Sequence, residues 1–132
     1  MAALQRIRAA LIGVSVRLPD HLLDRYPELA GARYRRGGLP PRVGGWALGL
    51  ASVAGITLWR TVFLAPHVPF SAELLLHELA HVRQFEESRA FPVRYLWECA
   101  RVGYRRNRFE VAAQRYASLR LRDAGYSPFS GT

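Results

Sequence analysis

The segment LLLHELAHVRQ, residues 74 to 84, lies near the middle of the chain and has the spacing of an amphipathic helix. Leu75 and Leu79 are four residues apart, so they lie on the same side of a helix. Ser71 precedes the segment and is a favoured N-cap residue, which predicts a helix from there to about Ser88. The other elements of the fold are predicted relative to this helix.

The same helix carries the pattern His77-Glu78-Leu79-Ala80-His81. Residues four apart lie about 40° from each other around a helix axis, so both imidazoles can point at one ion. Glu78 is rotated about 100° from His77, so it can reach a water beside that ion without competing for the ion. Catalytic zinc takes three protein ligands, keeps one position for water and lowers the pKa of that water. The pattern therefore predicts a Zn²⁺ site with His77 and His81 as ligands and Glu78 as general base and acid.

The flanking sequence predicts an α+β domain with an N-terminal helix, a β-hairpin, the HExxH helix and two further helices. Residues 1–42 are interpreted as a helical segment with a basic linker, and residues 43–132 as the core of the domain. The predicted elements are helices over residues 3–16, 19–25, 92–105 and 107–123, a loop over 33–41, and strands over 46–50 and 56–64 joined by a turn around 52–55.

Composition limits the classes of protein to consider. Half of the 132 residues are apolar, which excludes a disordered chain. The chain has 19 basic residues, all of them arginine, against 10 acidic ones, for a net charge of +9. Such a charge attracts polyanions. An arginine-rich protein that binds nucleic acid or acidic lipid is therefore an alternative, although a solvated helix face is favoured for the basic C-terminal half.

Two further features bear on location. Cys99 is the only cysteine, so it cannot form an internal disulfide, and a reducing compartment such as the cytoplasm is favoured. Residues 43–59 carry no charge, but this run is just short of the roughly 18 to 20 residues that a membrane-spanning helix needs. Its glycines favour turns and strands, so residues 43–64 are predicted not to span a membrane.

Three parts of the chain together resemble a known family: the predicted hairpin, SAELLLHELAHVRQF at residues 71–85, and NRFEVAA at residues 107–113. They resemble a minimal zincin metallopeptidase core of the gluzincin type and are similar to small bacterial HELxHVxQ domains of unknown function. The resemblance covers roughly residues 40–122. It implies zinc-dependent hydrolysis of a peptide or protein substrate, which would pair with an edge strand expected over residues 56–64.

The resemblance also implies that a glutamate from a later helix is the third zinc ligand. Glu98 and Glu110 are the candidates, because the glutamates at the end of the HELAH helix cannot fold back to the ion. Glu98 has the spacing that gluzincins use more often. Glu110 is favoured because Asn107, Glu110 and Ala113 match the family pattern, and because the small residues that follow Glu110 allow close helix packing. Asn107 and Glu110 also fit a capping box, in which the glutamate serves only the start of its helix.

For several residues, the sequence leaves open whether they act at the metal site or have only an ordinary structural role. They are His67, Tyr104 and Tyr116 as donors to a developing oxyanion, and Asp20, Asp123, Arg83 and Gln84 as groups around the ligands. A further alternative to the enzyme is a catalytically inactive zincin-like scaffold or interaction domain. The sequence leaves the substrate and the oligomeric state open.

Overall fold

The computed structural model of the chain describes residues 2–47 and 53–125. Within these ranges the fold is a mixture of helices and one sheet, so the predicted α+β class is confirmed. The elements are α1 (Ala2–Ile12), β1 (Val14–Ser15), α2 (Asp20–Arg25), a 3-10 helix (Pro27–Gly31), β2 (Arg33–Arg36), α3 (Leu39–Ala47), β3 (Gly55–Leu58), β4 (Thr61–Leu64), α4 (Ala72–Glu87), α5 (Phe91–Val102) and α6 (Arg108–Gly125).

The four strands of the described residues form one mixed sheet in the order β1-β2-β4-β3. Strand β2 runs parallel to β4, and the other two pairings are antiparallel. Residues on both sides of position 43 therefore contribute to the same sheet. Strand β3 lies at one edge, next to α4, and this places a free strand edge beside the helix that carries the two histidines.

The predicted strands differ from the observed ones. The single strand predicted over 56–64 is a hairpin, in which β3 and β4 are joined by a two-residue turn at Trp59 and Arg60. Trp59 has a φ of 55°, which non-glycine residues rarely adopt, so no glycine marks the turn in the sequence. The strand predicted over 46–50 is wrong where it is described, because Trp46 and Ala47 end α3, and residues 48–50 lie outside the described residues.

The basic loop predicted over 33–41 is also wrong. It contains β2 and the first turn of α3, where two prolines are tolerated because the N–H groups at that position have no helical partner. In β2, the side chain of Tyr34 is buried, and Arg35 donates to the carbonyl oxygens of Ile12 and Gly13 at 2.7 and 3.0 Å. A strand in the interior of the sheet can therefore contain arginines, because the guanidinium groups of Arg35 and Arg36 donate hydrogen bonds to backbone carbonyl oxygens.

The helices around the site follow the sequence closely. Ser71 caps α4, and its Oγ accepts a hydrogen bond from the Leu74 N–H at 3.1 Å, as predicted. Helix α5 ends at Val102, earlier than predicted, because Gly103 has a φ of 83°. None of the helices in the described ranges has the length and apolar character to cross a bilayer. The core lies between α4 and the sheet, and its fully buried members include Leu29, Val62, Leu64, Leu75, Leu76 and Val82.

Candidate metal centre

The two histidines of α4 and a glutamate of α6 meet at one point. Nε2 of His77 lies 2.9 Å from Oε2 of Glu110, and Nε2 of His81 lies 3.1 Å from Oε1 of the same carboxylate. The candidate ligand atoms of the three residues all lie within 4.8 Å of one another. The structure therefore brings together the three side chains that the sequence predicts as ligands.

Close packing of α6 against α4 places Glu110. Ala113 and Ala117 follow it by three and seven residues, so they share its side of α6, and both are completely buried. Without large side chains between them, the two helices approach closely enough for the carboxylate to reach both imidazoles. Ala112, which was also expected to allow this approach, is exposed and points elsewhere.

Glu98 lies on α5 and takes no part in this cluster. Its Oε1 accepts hydrogen bonds from Nε and Nη2 of Arg101 at 3.1 and 2.9 Å. The hydrogen bond from Arg101 holds the pKa of Glu98 below its usual value. In a capping box, the carboxylate of Glu110 would accept a hydrogen bond from the Asn107 N–H. That N–H instead donates to the carbonyl oxygen of Tyr104, so Glu110 does not have this role.

The side chain of Gln84 fixes the orientation of His81. Its Nε2 donates to the carbonyl oxygen of Phe109 at 3.0 Å, so its Oε1 must be the atom that faces Nδ1 of His81, at 2.7 Å. An amide oxygen can only accept, and Nδ1 therefore carries a proton. In neutral His81 this leaves the lone pair on Nε2, the nitrogen that points at Glu110 and is available to a metal.

His81 and Glu110 shift each other's pKa. Burial lowers the pKa of His81, but the hydrogen bond with Glu110 and the charges of Glu78 and Glu110 outweigh it and raise this pKa to about 9. Burial raises the pKa of Glu110, but hydrogen bonds from His77 and His81 outweigh it and hold this pKa well below its usual range. In the metal-free protein, an imidazolium proton therefore lies between His81 and the carboxylate.

The donor set fits zinc. Two imidazole nitrogens and one carboxylate oxygen are a ligand set of catalytic zinc sites. Ligand bonds of about 2.1 Å in a tetrahedral site separate neighbouring donors by about 3.4 Å. The candidate ligand atoms of the three residues lie within 4.8 Å of one another, so they need to move by about an ångström or less to reach that spacing. The side chains of His77, His81 and Glu110 are 16%, 8% and 10% exposed, so the cluster is largely shielded from solvent.

Glu78 projects from the same helix in another direction. Glu78 is only 5% exposed. The hydroxyl of Thr57 lies 2.7 Å from Oε2 of Glu78 and 3.1 Å from the backbone carbonyl oxygen of Glu78. A Cβ added at Gly55 would lie 3.4 Å from Oε1 of Glu78, an ordinary van der Waals distance, so the carboxylate lies directly beside β3. Glu78 is thus held by the edge strand and remains separate from the three converging ligands.

Two cavities meet at Glu78. One, of about 220 Å³, is mostly apolar and is lined by Ile56, Leu58, Phe85, Phe91 and Leu96 together with His81 and Glu110. The other, of about 400 Å³, is more polar and is lined by Glu73, Leu74, His77 and Gln114. Both have Gly55, Glu78 and Tyr104 in their walls, so the two cavities are adjacent, and together they are called the cleft below.

Of the residues that were predicted to surround the ligands, some lie at the site and others do not. Gln84 contacts His81 directly, whereas Arg83 lies over the ring of Tyr116 at 5.1 Å. Asp20 pairs with Arg17, so it does not orient either histidine. His67 and Asp123 are both exposed, and Tyr104 lines the cleft.

Sequence reasoning missed two hydrogen-bond donors of the site. The hydroxyl of Tyr95 donates to Oε1 of Glu110 at 2.6 Å, and that of Thr57 reaches Glu78. Neither residue belongs to a recognisable motif. The amphipathic spacing of α5 places Tyr95 on the half-buried side of the helix, but it does not indicate a carboxylate partner.

No protein-family model matches the chain, and comparisons with curated proteins and with solved structures find no match.

Proposed function

We propose that this protein is a zinc-dependent metallopeptidase in which His77, His81 and Glu110 bind the metal. The observation that carries the proposal is the convergence of two imidazole nitrogens and one carboxylate within 4.8 Å. The resemblance to the zincin core supports the same ligand set. A second carboxylate, that of Glu78, lies next to this set in the wall of the cleft, where a general base is required.

Each side chain then has a defined role in peptide-bond hydrolysis. Zinc, when bound, supplies the polarisation of a carbonyl group and the activation of a water. Glu78 takes a proton from the attacking water and returns it to the leaving amine, while the Thr57 hydroxyl orients its carboxylate. Burial raises the pKa of Tyr104, so its hydroxyl stays protonated and can donate to the developing oxyanion.

The cleft favours an extended substrate with a large apolar side chain. The apolar cavity beside His81 offers contacts to Ile56, Phe85 and Leu96, which fit a leucine-sized or phenylalanine-sized group. The substrate-pairing edge expected over residues 56–64 corresponds to β3, since β4 is covered on both sides within the described sheet. A peptide added along β3 would run past Gly55, Thr57 and the proposed metal.

The test compares cleavage of a peptide library by the zinc-loaded wild type and by a Glu78→Gln variant. We expect the wild type to cleave, and the variant to lose at least about a hundredfold in kcat, which is the usual contribution of a general base. The variant should keep its zinc, because Glu78 is not a ligand in the proposal. Stoichiometric zinc without cleavage by either protein would favour the inactive scaffold.

A further inference from the structure

Helix α1 exposes its apolar side chains to solvent. Leu4, Ile7 and Leu11 have the three- and four-residue spacing of one helix face, and they are 69%, 55% and 48% exposed. No residue of α1 is buried. A helix of 11 residues is marginal on its own in water, so its stability must come from the rest of the protein.

The C-terminal end of α1 is firmly attached to the body of the protein. Arg35 donates to the carbonyl oxygens of Ile12 and Gly13 at the end of the helix, at 2.7 and 3.0 Å. Gly38 packs against the same point, because a side chain there would lie 2.6 Å from the backbone nitrogen of Gly13. These contacts hold the helix in one orientation, with its apolar face directed outward.

Helix α3 extends this face. It packs beside α1, and its Leu39 and Val43 are 42% and 53% exposed. On its other side, Gly44 is buried against Ile56, where a Cβ would lie 2.6 Å from the end of the isoleucine. We define the outer face as the exposed apolar residues of the two helices, which are Leu4, Ile7, Leu11, Leu39 and Val43.

The two helices of the outer face, and the segments of sequence around them, carry charges of one sign. Residues 1–19 and 29–72 contain eight arginines and no aspartate or glutamate. Arg8 on α1 and Arg42 on α3 are exposed next to the apolar residues. The acidic residues of the chain lie elsewhere, in the segments 20–28, 73–87, 98–110 and at position 123.

We propose that the outer face binds the surface of an anionic lipid bilayer, with α1 lying in the plane of the interface. An apolar stripe flanked by arginines is the pattern of helices that bury their apolar side among acyl chains and keep their charges at the headgroups. A second copy of the chain is disfavoured, because a symmetric contact would place Arg8 and Arg42 against each other with no carboxylate to pair with. A nucleic acid would pair with the arginines but would leave Leu4, Ile7 and Leu11 in water.

This proposal does not depend on the metallopeptidase, but it places the cleft near the bilayer. Gly44, on the inner side of α3, lines the apolar cavity, so among the described residues α3 has that cavity on one side and part of the outer face on the other. The diameter of a helix with its side chains is about 10 Å. An apolar segment emerging from the bilayer would reach the cleft over that distance.

The experiment measures binding of the full chain to vesicles of phosphatidylcholine, alone or mixed with phosphatidylglycerol, by co-sedimentation. We expect binding to the mixed vesicles, weaker binding to pure phosphatidylcholine, and a loss of affinity at high salt. A Leu4→Gln/Ile7→Gln/Leu11→Gln variant should bind at least about tenfold more weakly, because it removes the inserted side chains. It should still fold, since none of the three is buried.

Matched variants control for general effects of apolar area and charge. Val93→Gln/Trp97→Gln removes side chains that are 71% and 68% exposed on α5, and it should bind vesicles as the wild type does. Arg8→Gln/Arg42→Gln should lose the preference for anionic vesicles, whereas Arg105→Gln/Arg106→Gln, with the same net charge, should keep it.

Three results would overturn the proposal. The first is no binding to mixed vesicles at low salt, and the second is equal binding by the wild type and the triple glutamine variant. The third is concentration-dependent dimerisation without lipid that the triple variant abolishes, which would assign the face to a second copy. Where the first of these results is accompanied by binding to a DNA duplex at the same salt, the arginines are assigned to nucleic acid instead.

Discussion

Nδ1 of His81 lies 2.7 Å from Oε1 of Gln84, and the other end of the same amide donates to the backbone of α6. One glutamine side chain therefore sets the tautomer of a histidine and ties α4 to the helix that carries Glu110. In metal sites, such partners of the second ring nitrogen orient the ligand and raise its basicity.

Replacing this glutamine should weaken metal binding without removing a ligand. We expect Gln84→Leu to lower zinc affinity by roughly 10- to 100-fold, because Nδ1 of His81 then has no acceptor and the ring can rotate. Competition with a chromophoric chelator measures the affinity. Gln114→Leu is the matched control, since Gln114 is exposed on α6 and its Nε2 donates to Glu73. Unchanged affinity in Gln84→Leu would show that Gln84 does not position the ligand.

The stability of the metal-free protein should depend on pH through His81. Its pKa is raised from 6.5 to about 9 in the folded protein, so the protonated form stabilises the fold. This contribution, up to roughly 3 kcal/mol, is complete below about pH 6.5 and is lost as the pH rises to about 9. Urea unfolding across this range should therefore give a falling free energy of unfolding, and His81→Gln should remove that slope. An equal slope in both proteins would contradict the raised pKa.

The same proton should make zinc binding pH-dependent. Zinc must displace it from Nε2 of His81, so the affinity should rise about tenfold per pH unit up to about pH 9. Titrations in a zinc-buffering chelator at several pH values measure this slope. An affinity independent of pH between 6 and 8 would show that zinc displaces no proton from His81 and would contradict its raised pKa.

Replacing each candidate third ligand by glutamine should distinguish the two, because only the ligand should lower the zinc affinity when it is replaced. Glu110→Gln keeps the shape of the side chain but removes the charge that the histidines share, so we expect zinc affinity to fall by at least about a hundredfold. Glu98→Gln removes the charge that pairs with Arg101, while its amide oxygen can still accept from Arg101 and from the Arg108 N–H, so its zinc affinity should match that of the wild type. The reverse pattern would make Glu98 the ligand.

The apolar cavity should determine which peptides are cleaved. Leu96 lines it, and Leu96→Gln should reduce the preference for a large apolar side chain over a polar one by roughly 10-fold in kcat/KM. Val93→Gln, one turn away on α5, changes a side chain that does not line the cavity. Equal changes in selectivity for both variants would mean that this cavity does not receive the substrate side chain.

The parts of the site that lie on one helix could be predicted from the sequence. His77, Glu78 and His81 have fixed angular relations once α4 forms, and Ser71 marks the start of that helix. Glu110 was favoured through a family pattern and the small residues that follow it, and no angular relation to the histidines could be derived, because its position depends on the packing of Ala113 and Ala117 against α4. Contacts between elements, such as Tyr95 with Glu110 and Thr57 with Glu78, have no local signature in the sequence.

The sheet was the least predictable part of the fold. The alternating pattern of residues 56–64 runs through a turn that is made by a tryptophan instead of a glycine. Strand β2 was interpreted as a loop because three of its four residues are arginines, and its place between β1 and β4 depends on carbonyl partners far away in the sequence. Both errors come from tertiary contacts that outweigh local propensity.

The zinc content of the purified protein tests the metal site most directly. Elemental analysis of the wild type and of His81→Ala, each equilibrated with zinc and then dialysed, gives the number of ions per chain. The proposed site predicts one tightly held zinc in the wild type and its loss in His81→Ala, with both proteins folded by circular dichroism. A wild type that retains no zinc, or a His81→Ala protein that retains as much as the wild type, would contradict the site.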